Sequence, residues 1–152
     1  MTGSQIDYMA VYRQFPVPSV LLTPGFVMAD MNLAFLQTAG RSREELLGRS
    51  IFEAFPDNPW DPGDTGTRNL RASLRRVLAT AKPDAMMFQH HDVEIPGSPG
   101  QFASRYWSIL NAPVCRPDGC VMLIVSCGED VTDRLNRFMS ALEAEAVDGG
   151  PG

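Results

Sequence analysis

The chain has 152 residues, of which 44% are hydrophobic and 20% charged, a composition typical of one soluble globular domain with a single core. Its formal net charge of −5 argues against nonspecific binding to nucleic acid or to an anionic membrane, because both need a basic surface. No apolar run reaches the roughly 18 residues of a membrane span, no secretion signal is visible, and three cysteines form no disulfide framework, so we expect a cytoplasmic protein that binds neither membrane nor nucleic acid.

An N-terminal amphipathic helix is predicted over residues 5–14, with Ser4 and Asp7 as a capping box at its start. Apolar residues recur along it at the i, i+3, i+4 and i+7 positions of one helix face. These residues are Tyr8, Val11, Tyr12 and Phe15. A second apolar flank indicates a second partner, so we expect these four residues to form a homodimer interface. The alternative is a helix that only covers the open face of the sheet.

Two short strands, over residues 19–23 and 26–30, follow this helix. Pro24 and Gly25 fit the central positions of a type II turn between them, because Pro fixes the first φ and Gly adopts the positive φ of the second position. The domain is therefore predicted to begin with a short β-hairpin.

Several short capped helices come next. Asn32 is predicted to cap a helix that ends at Gly40. Ser42 and Ser50 are each followed three residues later by a glutamate, which predicts two further helices of one or two turns. Together these helices are expected to wall one side of a cavity.

The loop over residues 56–67 contains three prolines, two glycines and three aspartates, which excludes a helix or a central strand. Trp60 lies within this loop. One interpretation is that Trp60 folds back and pins the loop; the other is that it closes over a bound ligand.

A long helix is predicted after the loop, because apolar residues keep a 3.6-residue period from Leu70 to Ala81. Its arginines lie on other faces, and we interpret them as a solvated surface. A third strand is predicted over residues 85–95, and the Pro/Gly-rich turn 96–100 leads from it into a long hairpin.

The strands of this hairpin, over residues 106–114 and 120–126, flank the turn 116–119. Five strands with helices grouped between the second and third predict an α+β fold, in which helices cover one face of a five-stranded antiparallel sheet and enclose a ligand-sized space. A helical pattern follows the last strand. There Asp130 can accept a hydrogen bond from a first-turn N–H, and Asp133 can reach back.

The tripeptide Asp130-Val131-Thr132 after a closing hairpin resembles the strand-to-helix motif that ends a PAS domain. Four other segments are similar to segments of bacterial PAS sensors and occur in the same order. They span residues 32–35, 42–49, 55–59 and 105–107. The resemblance covers residues 15–134 and implies the PAS fold, as found in histidine kinases and related signalling proteins.

The resemblance implies three parts: an N-terminal flanking helix (1–15), a PAS domain (16–132) and a C-terminal linker helix with a flexible tail (133–152). The helix after Thr132 carries apolar residues with the spacing of a coiled-coil seam. They are Val131, Leu135, Phe138 and Leu142. In this family such a helix runs into an output domain, which is the expected partner. Asp130 and Thr132 are therefore expected to relay a signal from the sheet to this helix.

The resemblance also implies a ligand cavity between the sheet and the helices. The candidate ligand-binding residues are Trp60, Phe88, Tyr106, Trp107 and Asn111. The Asn111 amide and the Tyr106 hydroxyl would orient a small molecule among apolar and aromatic side chains. Ordinary core packing is the alternative for the aromatic residues.

Two cofactors common in the family lack their attachment residues. Haem-binding PAS domains use a histidine on the long helix, and residues 67–82 contain none. Light-sensing flavin domains use a reactive cysteine in the region that corresponds to residues 50–59, which contain no cysteine. We therefore expect neither haem nor a covalent flavin adduct, and the identity of any cofactor stays unknown.

Motifs for catalysis and metal binding are missing. The chain has no phosphate loop, nucleophile elbow or His-Glu-x-x-His motif. His90 and His91 point to opposite sides of a strand, and their spacing from Cys115 and Cys120 matches no common zinc pattern, so no metal site is expected. A rival class is a small cone-shaped α+β enzyme with His90, His91 or Asp92 as its general base, although we expect these residues to be exposed.

The sequence thus predicts a non-catalytic PAS sensor that passes the binding of a small ligand or partner protein to an output domain such as a histidine kinase. The alternative is a ligand-free PAS domain that acts through protein–protein interaction and dimerisation.

Overall fold

The structure is a computed structural model that describes residues 4–149. The outermost residues of the predicted N-terminal and C-terminal parts, 1–3 and 150–152, lie outside the described residues. The helices and strands, in chain order, are α1 (Tyr8–Gln14), β1 (Ser19–Leu22), β2 (Met28–Met31), α2 (Leu33–Ala39), α3 (Arg43–Leu46), α4 (Ile51–Ala54), α5 (Gly66–Thr80), β3 (Asp84–His90), β4 (Val93–Glu94), β5 (Phe102–Ala103), β6 (Tyr106–Cys115), β7 (Val121–Asp130) and α6 (Thr132–Asp148).

A five-stranded antiparallel sheet forms the centre of the fold, with the strand order β2-β1-β7-β6-β3. Strands β6 and β7 form the long hairpin, and their register pairs Trp107 with Asp130 and Asn111 with Ser126. Strands β4 and β5 form a separate two-stranded hairpin. The predicted α+β class and the predicted five-stranded antiparallel sheet are confirmed.

The hydrophobic core lies between one face of the sheet and the helices. Alternation along β1 places Val20 and Leu22 in this core, where both are almost completely buried. Helix α5 contributes Leu74 and Val77, which share one helix face. The helices that contribute to the core therefore cover this face of the sheet.

Asn32 caps α2 as predicted and also fastens the chain that precedes β1. Its Oδ1 accepts hydrogen bonds from the backbone N–H groups of Phe35 (3.0 Å) and Ser19 (2.9 Å). Its Nδ2 donates to the carbonyl oxygens of Phe15 (3.2 Å) and Val17 (2.7 Å). Because Asn32 is fully buried, these bonds hold the connection between α1 and β1 against α2.

The two short helices α3 and α4 begin at their predicted caps. Ser42 Oγ accepts a hydrogen bond from Glu45 N (3.3 Å), and Ser50 Oγ accepts one from Phe52 N (3.2 Å). Helix α4 buries Ile51 in the core. These caps therefore fix the orientation of the helix that carries Phe52.

Helix α1 begins three residues later than predicted, at Tyr8. Its N-cap is Asp7, whose Oδ1 accepts a hydrogen bond from Ala10 N at 3.1 Å, so the predicted Ser4 capping box is wrong. Aspartate is as good an N-cap as serine, and the chain uses the cap that is closer to the domain. The hydroxyl of Tyr12 donates to the carbonyl oxygen of Ser19 (3.1 Å), which ties α1 to β1.

The turn between β1 and β2 differs from the predicted type II turn. Phe26 N donates to Thr23 O (2.8 Å), so Pro24 and Gly25 do occupy the central positions. The positive φ (66°), however, belongs to Phe26. This matches the three-residue hairpin loop in which a left-handed residue follows the turn. Edge-to-face packing of the buried Phe26 ring on Phe52 offsets the backbone strain.

Strand β3 ends at His90, five residues before the predicted end. A bulge interrupts it between Met86 and Gln89, where Phe88 has a φ of 54°. After the bulge the backbone N–H of Asp92 donates to a side-chain oxygen of Asp64 (3.3 Å). The predicted single strand over residues 85–95 is therefore wrong, and β4 belongs to a second hairpin.

Candidate functional site

A cavity of about 140 Å³ lies between the sheet and helices α2, α4 and α5. Its walls are mainly apolar and include side chains from all of these elements. Among them are Val20, Phe35, Phe52, Leu70, Trp107 and Ile109. The volume is close to the roughly 150 Å³ of an engineered apolar cavity that binds benzene. A ligand about the size of one ring would fit.

Polar side chains occupy only a small part of the cavity wall. They are Thr38, Gln89, His91 and Ser126, with Thr67 at the start of α5. The Gln89 side-chain oxygen accepts a hydrogen bond from Asn69 Nδ2 at 2.9 Å, which holds this side chain in place. A few fixed polar groups in an apolar wall are the usual means of orienting a small ligand.

His91 is held by two carboxylates at the edge of the cavity. Its Nδ1 lies 3.2 Å from Oδ1 of Asp64 and 3.5 Å from Oδ1 of Asp57. Because carboxylate oxygens only accept hydrogen bonds, the proton must be on Nδ1. The ring packs against the first residue of α5, Gly66, where an added Cβ would lie 2.4 Å from Nδ1. Glycine at this position is therefore required by the close approach of the imidazole.

Asp64 organises the loop that holds His91. Its carboxylate is buried and accepts hydrogen bonds from the backbone N–H groups of Asn58 (2.9 Å), Gly66 (3.3 Å) and Asp92 (3.3 Å). Burial opposes ionisation of this carboxyl group. Three other groups outweigh burial and hold the pKa of Asp64 below its usual value. They are the backbone N–H of Asn58, the charge of His91 and the backbone N–H of Gly66. The loop is thus ordered around an ionised carboxylate.

Of the five predicted ligand-binding residues, Trp107 lines the cavity. Its Nε1 donates a hydrogen bond to the carbonyl oxygen of His91 at 3.1 Å. Asn111 lies four residues along β6 from Trp107 and is fully buried. Its Nδ2 donates to Ser73 Oγ (2.9 Å), while its Oδ1 has no hydrogen-bond donor among the described residues.

Like Asn111, the other three predicted ligand-binding residues lie outside the cavity wall. The Tyr106 ring packs on His90, with 5.2 Å between ring centroids. The side chains of Phe88 and Trp60 are 55% and 78% exposed. Phe88 is turned outward by the bulge in β3. The interpretation that Trp60 pins the loop is wrong, because its indole ring is exposed.

His91, Gln89 and Phe52 line the cavity but are not among the residues predicted to bind a ligand. His91 was named only as a general base of the rival enzyme class. Phe52 could have been found from the Ser50 cap, which fixes the inward face of α4. His91 and Gln89 could not, because their orientation depends on the bulge in β3. The expectation that His90, His91 and Asp92 are exposed is also wrong. Asp92 is only 6% accessible, and the side chains of His90 and His91 are 30% and 19% exposed.

A chain of polar contacts connects Asn111 to the surface. Ser73 Oγ accepts from Asn111 and donates to Asp84 (2.5 Å), and Asp84 pairs with Arg76 (2.9 Å). Hydrogen bonds from Arg76 and Ser73 lower the pKa of Asp84. The network fixes the Asn111 amide group with its oxygen available to another donor.

The predicted strand-to-helix junction is built from side-chain and backbone hydrogen bonds. Asp130 Oδ1 accepts hydrogen bonds from the backbone N–H (3.0 Å) and the hydroxyl (2.6 Å) of Thr132. Thr132 Oγ1 accepts from Tyr106 N (2.9 Å), and Val131 N donates to Tyr106 O (2.9 Å). The predicted contact of Asp133 is wrong, because its side chain makes no hydrogen bond to the junction among the described residues. The first residue of β6 is thus bonded to both residues at the start of α6.

Apolar side chains are exposed on both terminal helices. Of the predicted dimer-interface residues, Tyr8 is 74% exposed, Val11 54% and Phe15 49%. Tyr12 instead turns toward its own domain. On α6, Phe138 is 60% exposed. Each terminal helix therefore presents an apolar surface that the described residues leave uncovered.

A family model described as the PAS fold matches residues 12–136. The chain belongs to this PAS family. The matched range includes the whole five-stranded sheet, the cavity and the start of α6. The family resemblance found in the sequence is confirmed.

Solved PAS structures have the same fold. The chain is 24% identical to the PAS domain of BvgS from Bordetella pertussis (TM-score 0.60, covering 94% of this chain and 99% of that one). It is 18% identical to a sensory box sensor histidine kinase from Vibrio cholerae (TM-score 0.55, 82% and 89% covered). It is 19% identical to VqmA bound to DPO (TM-score 0.57, 83% and 57% covered). No curated protein matches the chain.

Membership of the PAS family gives the coarse functional class, which is a sensor module of signalling proteins. PAS domains are generally non-catalytic. Within residues 4–149, no helix is long and apolar enough to span a bilayer.

Proposed function

We propose that this PAS domain is a cytoplasmic, non-catalytic sensor in bacterial signal transduction. It binds a small ligand or a partner protein and passes that event through α6 to an output domain such as a histidine kinase. One observation carries the proposal: two neighbouring residues of β6 contact the cavity and the start of α6. Trp107 lines the cavity, and the backbone of Tyr106 is bonded to Thr132 and Val131 at the start of α6.

The proposed relay is a small displacement of β6. A ligand in the cavity would press on the Trp107 ring and shift the adjacent backbone. Because Tyr106 N and Tyr106 O are both bonded to the helix start, α6 would have to follow or lose these bonds. The ligand shifts this equilibrium only by the difference in its affinity for the two arrangements.

The cavity favours a ligand with an apolar body of about one ring and one or two hydrogen-bonding groups. Apolar side chains would contact the body, and His91 offers a polar group at the cavity edge. Asn111 would require a small shift to bring its unpartnered Oδ1 to a ligand donor. A structural neighbour, VqmA, was solved with DPO bound, which supports small-molecule binding by this fold.

The relay can be tested with Asp130→Ala, which removes the acceptor for both Thr132 groups. We expect faster amide hydrogen exchange in the first turn of α6 and altered output in the intact signalling protein. Asp133→Ala is the matched control, because the Asp133 side chain makes no junction contact. Unchanged helix order and unchanged output in Asp130→Ala would show that the junction is not the relay.

A second candidate function is ligand-free dimerisation, favoured by the exposed apolar residues of α1 and α6. Light scattering at high micromolar concentration would then give a dimer, and the double variant Tyr8→Ser/Val11→Ser would give a monomer. Tyr12→Phe is the control, because the Tyr12 hydroxyl bonds within its own chain. A monomeric wild-type protein would eliminate dimerisation through α1.

A further inference from the structure

Three side chains with metal-binding atoms meet where the 56–67 loop contacts the end of β3. They are Asp61, His90 and Asp92, and one ligand atom of each lies within 4.8 Å of the others. We call them the 61/90/92 cluster. His90 is the last residue of β3, and Asp92 follows two residues later. The cluster lies apart from the cavity wall, which none of the three residues lines.

One oxygen in the cluster is buried without a hydrogen-bond donor. Asp92 is 6% exposed, and its Oδ2 accepts from Asn58 Nδ2 at 2.8 Å. Its Oδ1 has no donor among the described residues. Nε2 of His90 lies 2.7 Å from this Oδ1 and 3.0 Å from Ser104 Oγ, and only the contact with Ser104 has the geometry of a hydrogen bond. A buried carboxylate oxygen left in this way is unfavourable, and a cation would relieve it.

A neighbouring acidic cluster differs from the 61/90/92 cluster in the hydrogen bonds that its carboxylates accept. Asp57, Asp64 and His91 also bring ligand atoms together. Both oxygens of Asp64 already accept backbone N–H groups, and Asp57 accepts the N–H (2.9 Å) and hydroxyl (2.5 Å) of Thr67. Those carboxylates already accept hydrogen bonds that hold the loop. Oδ1 of Asp92 accepts none among the described residues.

We propose that Asp61, His90 and Asp92 bind one divalent transition-metal cation of the Zn²⁺ type. One imidazole nitrogen and two carboxylate oxygens are ligands that zinc accepts at about 2.0–2.2 Å. Two carboxylates also balance the charge of the cation. The His90 side chain is 30% exposed and Asp61 lies in a loop, so both can close around an ion while the buried Asp92 stays fixed.

Binding would fasten the 56–67 loop to the end of β3. The next residue, His91, lines the cavity and accepts a hydrogen bond from Trp107 Nε1 through its carbonyl oxygen. The cation would therefore stabilise one wall of the cavity. This inference goes beyond the proposed sensing function and does not depend on any ligand in the cavity.

The test is calorimetric titration of the full chain with ZnCl₂ in a Cys115→Ser/Cys120→Ser background, because exposed thiols would bind zinc themselves. We expect one Zn²⁺ per chain. Asp61→Asn and His90→Ala should each weaken binding by more than the roughly 10–100-fold that is lost when a residue hydrogen-bonded to a metal ligand is replaced. Asp61→Asn keeps an oxygen for the Gly63 N–H (2.8 Å) and is expected to stay folded.

Asp118→Asn, in the exposed β6–β7 turn, is the matched control and should bind Zn²⁺ like the background protein. Thermal unfolding without Zn²⁺ verifies that each variant is folded. The proposal is overturned if the background protein binds no stoichiometric Zn²⁺, or if Asp61→Asn and His90→Ala bind it with unchanged affinity.

Discussion

The hydroxyl of Thr132 accepts a hydrogen bond from the backbone N–H of Tyr106 at 2.9 Å, which joins residues 26 positions apart. The same hydroxyl donates to Asp130 Oδ1 at 2.6 Å. The first residue of α6 is therefore held by the first residue of β6 and the last residue of β7. Trp107, which lines the cavity, directly follows Tyr106. The cavity wall is therefore one residue from the hydrogen bonds that hold the start of α6.

Replacing Thr132 by valine should loosen this attachment. The valine keeps the β-branched shape but removes both hydroxyl hydrogen bonds, so we expect a loss of about 1–3 kcal/mol in the free energy of unfolding. Amide hydrogen exchange should accelerate at Tyr106 and in the first turn of α6. Thr80→Val is the control, because the Thr80 hydroxyl bonds only at the exposed end of α5. Equal protection of Tyr106 in both variants would contradict the prediction.

Asp64 should make stability depend on pH. The pKa of the Asp64 carboxyl group is lowered in the folded protein. As the pH falls, this group is therefore protonated first in the unfolded chain, where its pKa is about 3.9. The contribution of ionised Asp64 to the free energy of unfolding is complete above its pKa in the unfolded chain, and it is lost as the pH falls through its lower pKa in the folded protein.

Urea unfolding of Asp64→Asn should show about 2–4 kcal/mol less stability at pH 7, because an amide cannot accept all of the carboxylate's hydrogen bonds. The difference from wild type should shrink toward pH 3. Asp118→Asn in an exposed turn serves as the control. A constant difference across this pH range would show that ionisation of Asp64 is not the cause.

The structure agrees with the sequence prediction at three local hydrogen-bonded motifs, although two other local predictions, the Ser4 capping box and the type II turn, were wrong. The caps at Asn32 and Ser50 and the contact of Asp130 with Thr132 involve residues no more than three apart. These hydrogen bonds could be predicted from the residue types and their spacing alone. The α+β class followed from the order of such elements.

Where the signal is long-range, the sequence prediction was incomplete. His91 reaches the cavity because of a bulge in β3 and the two aspartates of a distant loop. Trp60 is exposed because that loop is ordered by the buried Asp64, without an aromatic anchor. Neither contact has a signature in residue spacing. The fold was therefore more predictable than the site.

Gly66→Ala should destabilise the protein, although alanine is the better helix former by about 1 kcal/mol. The new Cβ would lie 2.4 Å from His91 Nδ1, so the ring must move. We expect a net loss of about 1–3 kcal/mol, as in overpacked cores. In a Trp60→Phe background the fluorescence of Trp107 should change as well, since its Nε1 bonds to His91 O. Gly25→Ala is the control, because its Cβ meets only Thr23 Oγ1, at 3.8 Å. Unchanged stability and fluorescence would contradict the close packing of His91.

Native mass spectrometry with an absorption spectrum, on protein purified without denaturation, tests ligand binding in the cavity most directly. Gly128 lines the cavity, and an added Cβ there would meet Ile109 and Trp107 at 3.8 and 3.9 Å, so Gly128→Ala fits and Gly128→Leu fills the space. We predict a stoichiometric organic mass on the wild type and on Gly128→Ala that is lost in Gly128→Leu. A clean apo mass without visible absorption in every preparation, or an added mass that Gly128→Leu retains, would contradict the proposed ligand site.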